Sequence, residues 1–261
     1  MQQIIFPYEH SQKLVEVIKH HISPCTIFVW GYRTVNSGTH HFDLLVFSNK
    51  IAGGSGANIA NTIKEQSGGS ITASVLVHKI TDLATKQPNQ QRFFDNILRN
   101  GQRLCLDKNN PPYLLADNIP PRDEEAEKAY WLKCVAVAQF NIHAAAESPH
   151  LEVELCKIAL LNTACIQIAL GLIRINLGYT PNEFSLNHLL NLCGNFTNLP
   201  TQLFHQQTPT AIHRYKMLCT PPSLLNHRTK LNAKEQDFLC LLDTCQQFLE
   251  LSKNLIHDSY P

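Results

Sequence analysis

Apolar positions in the first part of the chain recur with two different periods. In 9–21 and 89–100 they return every three or four residues, which predicts two amphipathic helices, the second ending at Gly101 as its C-cap. Short runs rich in β-branched or aromatic residues predict three strands, at 25–30, 42–47 and 71–79. Another helix is expected within 53–70, between two groups of glycines. This order predicts a small mixed sheet flanked by helices.

The second part of the chain has helical spacing only. Residues 107–127 contain the pairs Pro111-Pro112 and Pro120-Pro121, which cannot continue a helix or a central strand, so we place a linker there. The domains are then 1–118 and 119–261. Beyond the linker the pattern predicts helices at 122–147, 151–177, 184–195, 209–219 and 233–256. The fold class is therefore α+β, with a small mixed-sheet domain followed by an all-α up-and-down helical bundle.

Composition narrows the class of protein. With 44% apolar and 16% charged residues and a net charge of +1, the chain is typical of a globular protein, and neither half is strongly basic. A dedicated nucleic-acid binder is disfavoured, although weak local contact with RNA stays open. The nine cysteines include no Cys-x-x-Cys pair and are best explained as buried free thiols in a reducing cytoplasm. The apolar run 158–173 is too short to span a bilayer, so we expect no membrane segment.

One stretch resembles a known catalytic core. Residues 27–47, IFVWGYRTVNSGTHHFDLLVF, show strand, Gly31-Tyr32-Arg33 turn and strand, and resemble a minimal nucleotidyltransferase of the DNA polymerase β superfamily. In that family a Gly-Ser pair opens a helix after the first strand and contacts the nucleotide phosphates. An Asp-x-Asp on the next strand and a third carboxylate on a later strand hold the metal ions. The resemblance implies nucleotide contacts at Gly31, Tyr32 and Arg33, and a metal at Asp43 and His41, with Mg²⁺ as cofactor if the site is active.

A second stretch resembles the HEPN family. Residues 159–193 show a long apolar helix, a Gly-Tyr-x-Pro turn and a short leucine-rich helix, similar to the central helix pair of a HEPN domain. The order of a minimal nucleotidyltransferase followed by HEPN is that of a fusion found in bacteria. HEPN relatives often dimerise through this domain, so the resemblance implies a homodimer through the helical domain. The apolar helix 151–177 is the expected dimer face.

The motifs depart from both families at the positions that carry chemistry. Gly-Ser is replaced by Gly31-Tyr32, the metal motif reads His41-Phe42-Asp43, and the third strand contains no carboxylate. A lone Asp43 cannot hold two Mg²⁺ ions, which need several carboxylate oxygens. The Arg-to-His spacing of HEPN ribonucleases is missing from the helical half. Neither set of catalytic residues is complete, so the sequence disfavours an enzyme.

Three functions therefore stay open. The favoured one is a catalytically degenerate nucleotidyltransferase–HEPN protein that acts as a nucleotide- or RNA-binding, regulatory dimer. The alternative is a divergent metal-dependent nucleotidyltransferase that modifies a protein or small molecule, with Asp43 as ligand and further carboxylates from Asp82 or Glu65. A HEPN ribonuclease is the least favoured. The sequence leaves the ligand, the partner and any toxin–antitoxin role undetermined.

Several other polar residues have two interpretations each. His143 and Glu147 stand four apart on a predicted helix and could share a ligand, but such pairs are more often solvated. Arg174 and Asn176 mark either an interface or a helix end that emerges into solvent. The loop Gly53–Gly56 could face an anion or simply precede a helix.

Overall fold

A computed structural model describes residues 6, 8–35, 38–51, 55–84, 87–106, 121–148, 153–227 and 231–259. The chain divides into two compact units, Met1–Arg122 and Asp123–Pro261. The fold is α+β, with a four-stranded sheet in the first unit and helices in the second. The domain boundary predicted after residue 118, and most of the predicted linker, lie outside the described residues.

The first unit contains three helices and four strands in its described part. They are α1 (Tyr8–His21), β1 (Pro24–Val35), β2 (Thr39–Ser48), α2 (Ser55–Gln66), β3 (Ile71–Lys79), a 3₁₀ turn (Ile80–Ala84), α3 (Pro88–Asn100) and β4 (Gln102–Leu106). The strand order is β3-β2-β1-β4. Strand β1 pairs antiparallel with both β2 and β4, whereas β3 runs parallel to β2 after the α2 crossover. The sheet is therefore mixed, as predicted.

The sheet separates two apolar layers. Helices α1 and α2 pack on one face, where Leu14 and Ile63 join a core with Phe42, Leu44 and Val46 of β2. Helix α3 covers part of the opposite face, and its Phe94 ring lies edge-on to Phe47 and His78. Because both faces are covered, β2 is buried from residue 41 to residue 48.

The hairpin of β1 and β2 corrects one expectation. The Gly31-Tyr32-Arg33 segment, expected as a turn, continues β1, so no helix opens at Gly31 as the nucleotidyltransferase resemblance implied. The strands are longer than predicted because cross-strand hydrogen bonding carries them through residues that favour turns. Val29 pairs with Leu44 and Gly31 pairs with Asp43, which leaves Trp30 as the extra residue of a β-bulge.

Strand β4 was not predicted. Gly101 does end α3, as expected, and its N–H donates to the Ile97 carbonyl at 2.7 Å. The chain then pairs with β1 for five residues. A run as short as 102–106 carries too little periodicity to identify, since its strand conformation comes from the partner strand.

The second unit contains seven helices in its described part. They are α4 (Glu124–Ala146), α5 (Glu154–Leu177), α6 (Leu186–Cys193), α7 (Leu199–Leu203), α8 (Pro209–Cys219), α9 (Pro222–His227) and α10 (Glu235–Ser259). The five helices predicted here are all present, with α8 at the predicted bounds. The short helices α7 and α9 were missed. Gly178 ends α5 in the left-handed conformation, with φ of 65°.

Helix α5 is the central helix of this unit. It packs against α4, α6, α8, α9 and α10. Within the part of the chain that the structure describes, it is the one helix long and apolar enough to cross a membrane, yet 72% of its most apolar stretch is buried inside the protein. Such burial is typical of a core helix. Most of its apolar surface is thus used within its own unit, and the expectation that this helix forms the dimer face stays a prediction.

Candidate functional site

Five polar side chains meet on the sheet face that α3 partly covers. We call Arg33, His41, Asp43, Thr72 and Ser74 the polar cluster. His41 and Asp43 share a face because they stand two apart on β2, and their β3 neighbours Thr72 and Ser74 lie beside them in register. The bulge at Trp30 shifts the alternation of β1 by one residue. Arg33 therefore pairs with His41 and lies on the Asp43 face instead of the opposite one.

The cluster is closely connected. Arg33 Nη1 donates to Asp43 Oδ2 at 2.6 Å. His41 Nδ1 lies 2.9 Å from Thr72 Oγ1, and its Nε2 lies 3.1 Å from Ser74 Oγ and 3.5 Å from Asp43 Oδ1. The Asp43 side chain is fully buried, whereas that of Arg33 keeps 24% of its surface exposed. The ion pair thus joins β1 to β2, and the His41 ring joins β2 to the hydroxyls of β3.

The two side chains expected to hold a metal, Asp43 and His41, already have partners inside the fold. A buried carboxylate needs a positive partner, and here the guanidinium supplies it inside the fold. Both ring nitrogens of His41 lie within hydrogen-bonding distance of hydroxyls. Among the described residues, no group of three or more His, Cys, Asp or Glu side chains is placed to hold a metal ion. In this structure Asp43 is therefore engaged by Arg33, and the His41 ring lies against the Thr72 and Ser74 hydroxyls.

The carboxylates that a transferase would need do not join the cluster. Asp82 accepts the backbone N–H of Lys79 at 3.1 Å and lies 3.3 Å from His78 Nδ1, so it terminates β3. Glu65 is exposed on α2, which packs on the opposite face of the sheet. Asp43 is thus the single carboxylate of the polar cluster.

No protein-family model, no curated protein and no solved structure matches this chain. The relationship to nucleotidyltransferases and HEPN domains is therefore a proposal that rests on the residues quoted above.

The proposed nucleotide contacts are divided between the two faces. Gly31 stands beside Asp43 in the register of the hairpin. Tyr32 faces the α1 side, where its hydroxyl lies 2.7 Å from His40 Nδ1 and its ring packs near Phe42. Of the five residues assigned from the resemblance, Arg33, His41 and Asp43 come together, and Tyr32 lies on the other side of the sheet.

A histidine pair lies beside Tyr32. The rings of His10 on α1 and His40 on β2 are 4.7 Å apart. Burial lowers the pKa of His10 below its usual value of 6.5, and the neighbouring His40 adds to this effect. Both rings are thus better accommodated when His10 is neutral.

Thr72 and Ser74 were missed as members of the site. The two residues are two positions apart in the strand ITASVLVHK, which is otherwise apolar up to its last two residues. Hydroxyls at that spacing on a buried strand indicate a polar neighbour on the same face. This signal was present in the sequence, although it does not identify the neighbour.

The remaining candidates are ordinary surface features or lie partly outside the described residues. Arg174 donates to Thr180 Oγ1 at 2.7 Å and Asn176 is exposed, so this helix end emerges into solvent. His143 and Glu147 line a pocket of about 270 Å³ between α4 and α10. Gly53 and Gly54, half of the loop considered for anion binding, lie outside the described residues.

Proposed function

We propose that this protein is a catalytically degenerate nucleotidyltransferase–HEPN protein that acts as a nucleotide- or RNA-binding, regulatory homodimer. The observation that carries the proposal is the 2.6 Å ion pair between Arg33 and the fully buried Asp43. In this pair the guanidinium of Arg33 binds Asp43, the one carboxylate that remains of the metal motif.

The ion pair argues against two-metal chemistry on grounds of charge. Two divalent cations need several carboxylate oxygens to offset their charge. A cation brought to Asp43 would lie beside the Arg33 guanidinium, which already contacts Asp43 Oδ2 at 2.6 Å, so the two positive groups would repel each other. Arg33 supplies the positive charge that a metal ion supplies in the nucleotidyltransferase family that this sequence resembles. Its partly exposed side chain is also the charged group of the cluster that a phosphate can approach.

A thermal-shift panel tests the binding part of the proposal. The purified protein is melted with ATP, GTP, CTP, UTP and a short single-stranded RNA, each with and without Mg²⁺ or Mn²⁺. A ligand at one hundred times its dissociation constant adds about 2.7 kcal/mol of stability to the folded state. We expect any shift to be independent of the metal and to be reduced in Arg33→Gln.

The same panel identifies the alternative. A shift that requires metal and disappears in Asp43→Ala, but persists in the control Asp95→Asn on α3, would establish the divergent transferase and overturn the proposal. If no nucleotide or RNA shifts the melting temperature, the binding part of the proposal is overturned. A regulatory dimer that acts through a protein partner would then remain.

A further inference from the structure

Helix α4 is apolar on both sides. Its inner side contributes buried residues such as Trp131, Val135 and Ile142 to the helical core. Its outer side exposes Leu132 and Phe140, which keep 58% and 69% of their surface. We call Ala129, Leu132, Ala136 and Phe140 the outer face of α4; all four are exposed. Large apolar side chains exposed together on one helix face are typical of an interaction surface.

The outer face is symmetric about its centre. Ala136 lies in the middle, and the two large side chains, Leu132 and Phe140, stand one helical turn before and after it. If a second copy of α4 lies antiparallel with its own Ala136 at the crossing point, each Leu132 meets the Phe140 of the other copy. The alanines at the centre let the two helix backbones approach closely. This arrangement is self-complementary, which a two-fold interface requires.

A charged residue lies beyond each end of the apolar centre. Lys128 is exposed about 12 Å before Ala136 along the helix, at 1.5 Å per residue. Glu147 follows Ala136 by about 16 Å. The two distances from Ala136 differ by about 4 Å, which the length of a lysine side chain can span. Glu147 and Glu250 are the two carboxylates at the pocket between α4 and α10, whose floor includes the buried Ile142 and Leu249. Glu250 also pairs with Lys253 of its own helix at 2.7 Å, so Glu147 is the carboxylate of the pocket that the proposal assigns to Lys128. The antiparallel arrangement thus brings Lys128 of one copy to the acidic pocket of the other.

We propose that two copies of this chain associate through the outer face of α4, antiparallel about Ala136, with Lys128 of each copy at the acidic pocket of the other. The inference rests on the proposed dimer and names the surface that forms it. The occupant is a second copy because each part of the surface finds its complement on the same surface, with Leu132 opposite Phe140 and Lys128 opposite Glu147.

The size of the surface sets the expected affinity. A standard protein interface buries about 800 Å² on each partner. Leu132 and Phe140 are too few to reach this area, so the contact must extend along α4 into the groove with α10, as the antiparallel arrangement does. We therefore expect a reversible dimer whose population depends on concentration.

Sedimentation velocity over a concentration series tests the proposal on the full chain. Leu132→Glu and Phe140→Glu each place a charge against an apolar side chain of the other copy, on both sides of the centre. We expect each to shift dimers to monomers by at least about tenfold in dissociation constant. Leu239→Glu and Leu251→Glu are matched controls, because both leucines are exposed apolar residues on α10, at 46% and 40%. The controls should dimerise like the unmodified protein.

Two further variants test the register. Lys128→Glu should weaken the dimer, and combining it with Glu147→Lys should restore it. Ala136→Cys, made together with Cys156→Ser to remove an exposed thiol, should form a disulfide between copies on mild oxidation, whereas Gln247→Cys should not.

Two outcomes would overturn the inference and are distinguishable. A dimer that persists in Leu132→Glu and Phe140→Glu would show that another surface forms it, and would leave the proposed regulatory dimer intact. A monomer at every concentration in the unmodified protein would overturn both the inference and the dimeric function. Retained circular dichroism spectra confirm that each variant is folded.

Discussion

Asp43 is surrounded by groups that make its charge tolerable in the interior. A carboxylate taken out of water costs several kcal/mol unless a positive group and hydrogen bonds replace its hydration. Arg33 Nη1 lies 2.6 Å from Asp43 Oδ2, His41 Nε2 lies 3.5 Å from Asp43 Oδ1, and the Asp43 side chain is fully buried. The polar cluster is therefore part of what holds β1, β2 and β3 in register.

Removing the guanidinium should expose this dependence. Arg33→Met keeps the length of the side chain but leaves the buried Asp43 carboxylate without its ion-pair partner, which we expect to cost about 3 kcal/mol of unfolding free energy. Adding Asp43→Asn should recover a large part of the loss, because the unpaired charge is then gone. Urea unfolding of the two single variants and the double variant measures this coupling.

A contrary result has a clear meaning. If Arg33→Met changes stability no more than the surface control Arg99→Met on α3, the Arg33–Asp43 contact is not a stabilising pair, and the argument against a metal at Asp43 loses its basis.

Helix α5 shows how closely the second unit is packed. At Gly171 a Cβ atom would lie 2.5 Å from Trp131 Cε3 and 2.9 Å from Trp131 Cζ3. The glycine therefore lets α4 and α5 approach until the indole ring fills the space of a side chain. Glycine is unfavourable inside a helix by about 1 kcal/mol relative to alanine, so this contact outweighs local preference.

The α4–α5 contact predicts an unusual response to alanine. Gly171→Ala improves helix propensity but forces the buried Trp131 ring to move, and overpacking of this kind typically costs about 1–3 kcal/mol. We expect a net destabilisation, measured as a lower Tm. Combining it with Trp131→Leu, which frees space, should make the alanine neutral or favourable. A Gly171→Ala protein with a raised Tm would contradict so close an approach of the two helices.

The contact between α5 and α10 includes two thiols. The Sγ atoms of Cys165 and Cys245 lie 3.3 Å apart and both residues are fully buried. The hydrogen bond with Cys245, together with burial, raises the pKa of Cys165, so this thiol stays protonated. For these two residues, and for Cys134 and Cys193, the prediction of buried free thiols is confirmed, whereas Cys156 is exposed.

At the scale of the whole molecule, the two units should respond to acid in different pH ranges. Burial lowers the pKa of both His10 and His78 in the first unit. As pH falls, these histidines take up protons in the unfolded chain before they do so in the folded protein. Stability is therefore lost as pH falls through the usual histidine pKa of 6.5. In the second unit, burial alone would raise the pKa of Asp237, but hydrogen bonds from Arg214 and the Lys234 N–H outweigh it and lower the pKa below 3.8. That stability is lost only in stronger acid.

The two tryptophans allow each unit to be followed separately. Trp30 lies in the first unit and Trp131 in the second, and the chain has no others. Urea unfolding of Trp131→Phe should show the Trp30 midpoint falling between about pH 7.5 and pH 5. Unfolding of Trp30→Phe should show the Trp131 midpoint holding to about pH 4 and falling below it. Replacing His10 and His78 by Gln should flatten the first profile, and the exposed control His20→Gln should not.

Local periodicity determined much of the architecture. The spacing of apolar residues identified α1, α4, α5 and α10, and identified α8 at its observed bounds, because a helix forms its hydrogen bonds within its own segment. The same local reasoning found β3 and placed Gly101 at a helix end. It also placed His41 and Asp43 on one face, since a strand alternates with period two.

Only the tertiary structure decided where these elements meet. The bulge at Trp30, which brings Arg33 to Asp43, depends on pairing with β2, and strand β4 exists only as a partner of β1. The outer face of α4 could not be predicted from the sequence either. The sequence does not show which of the apolar residues of a helix the neighbouring helices will cover. Contacts between distant segments depend on the assembled fold, and the polar cluster and the proposed dimer surface are both made of such contacts.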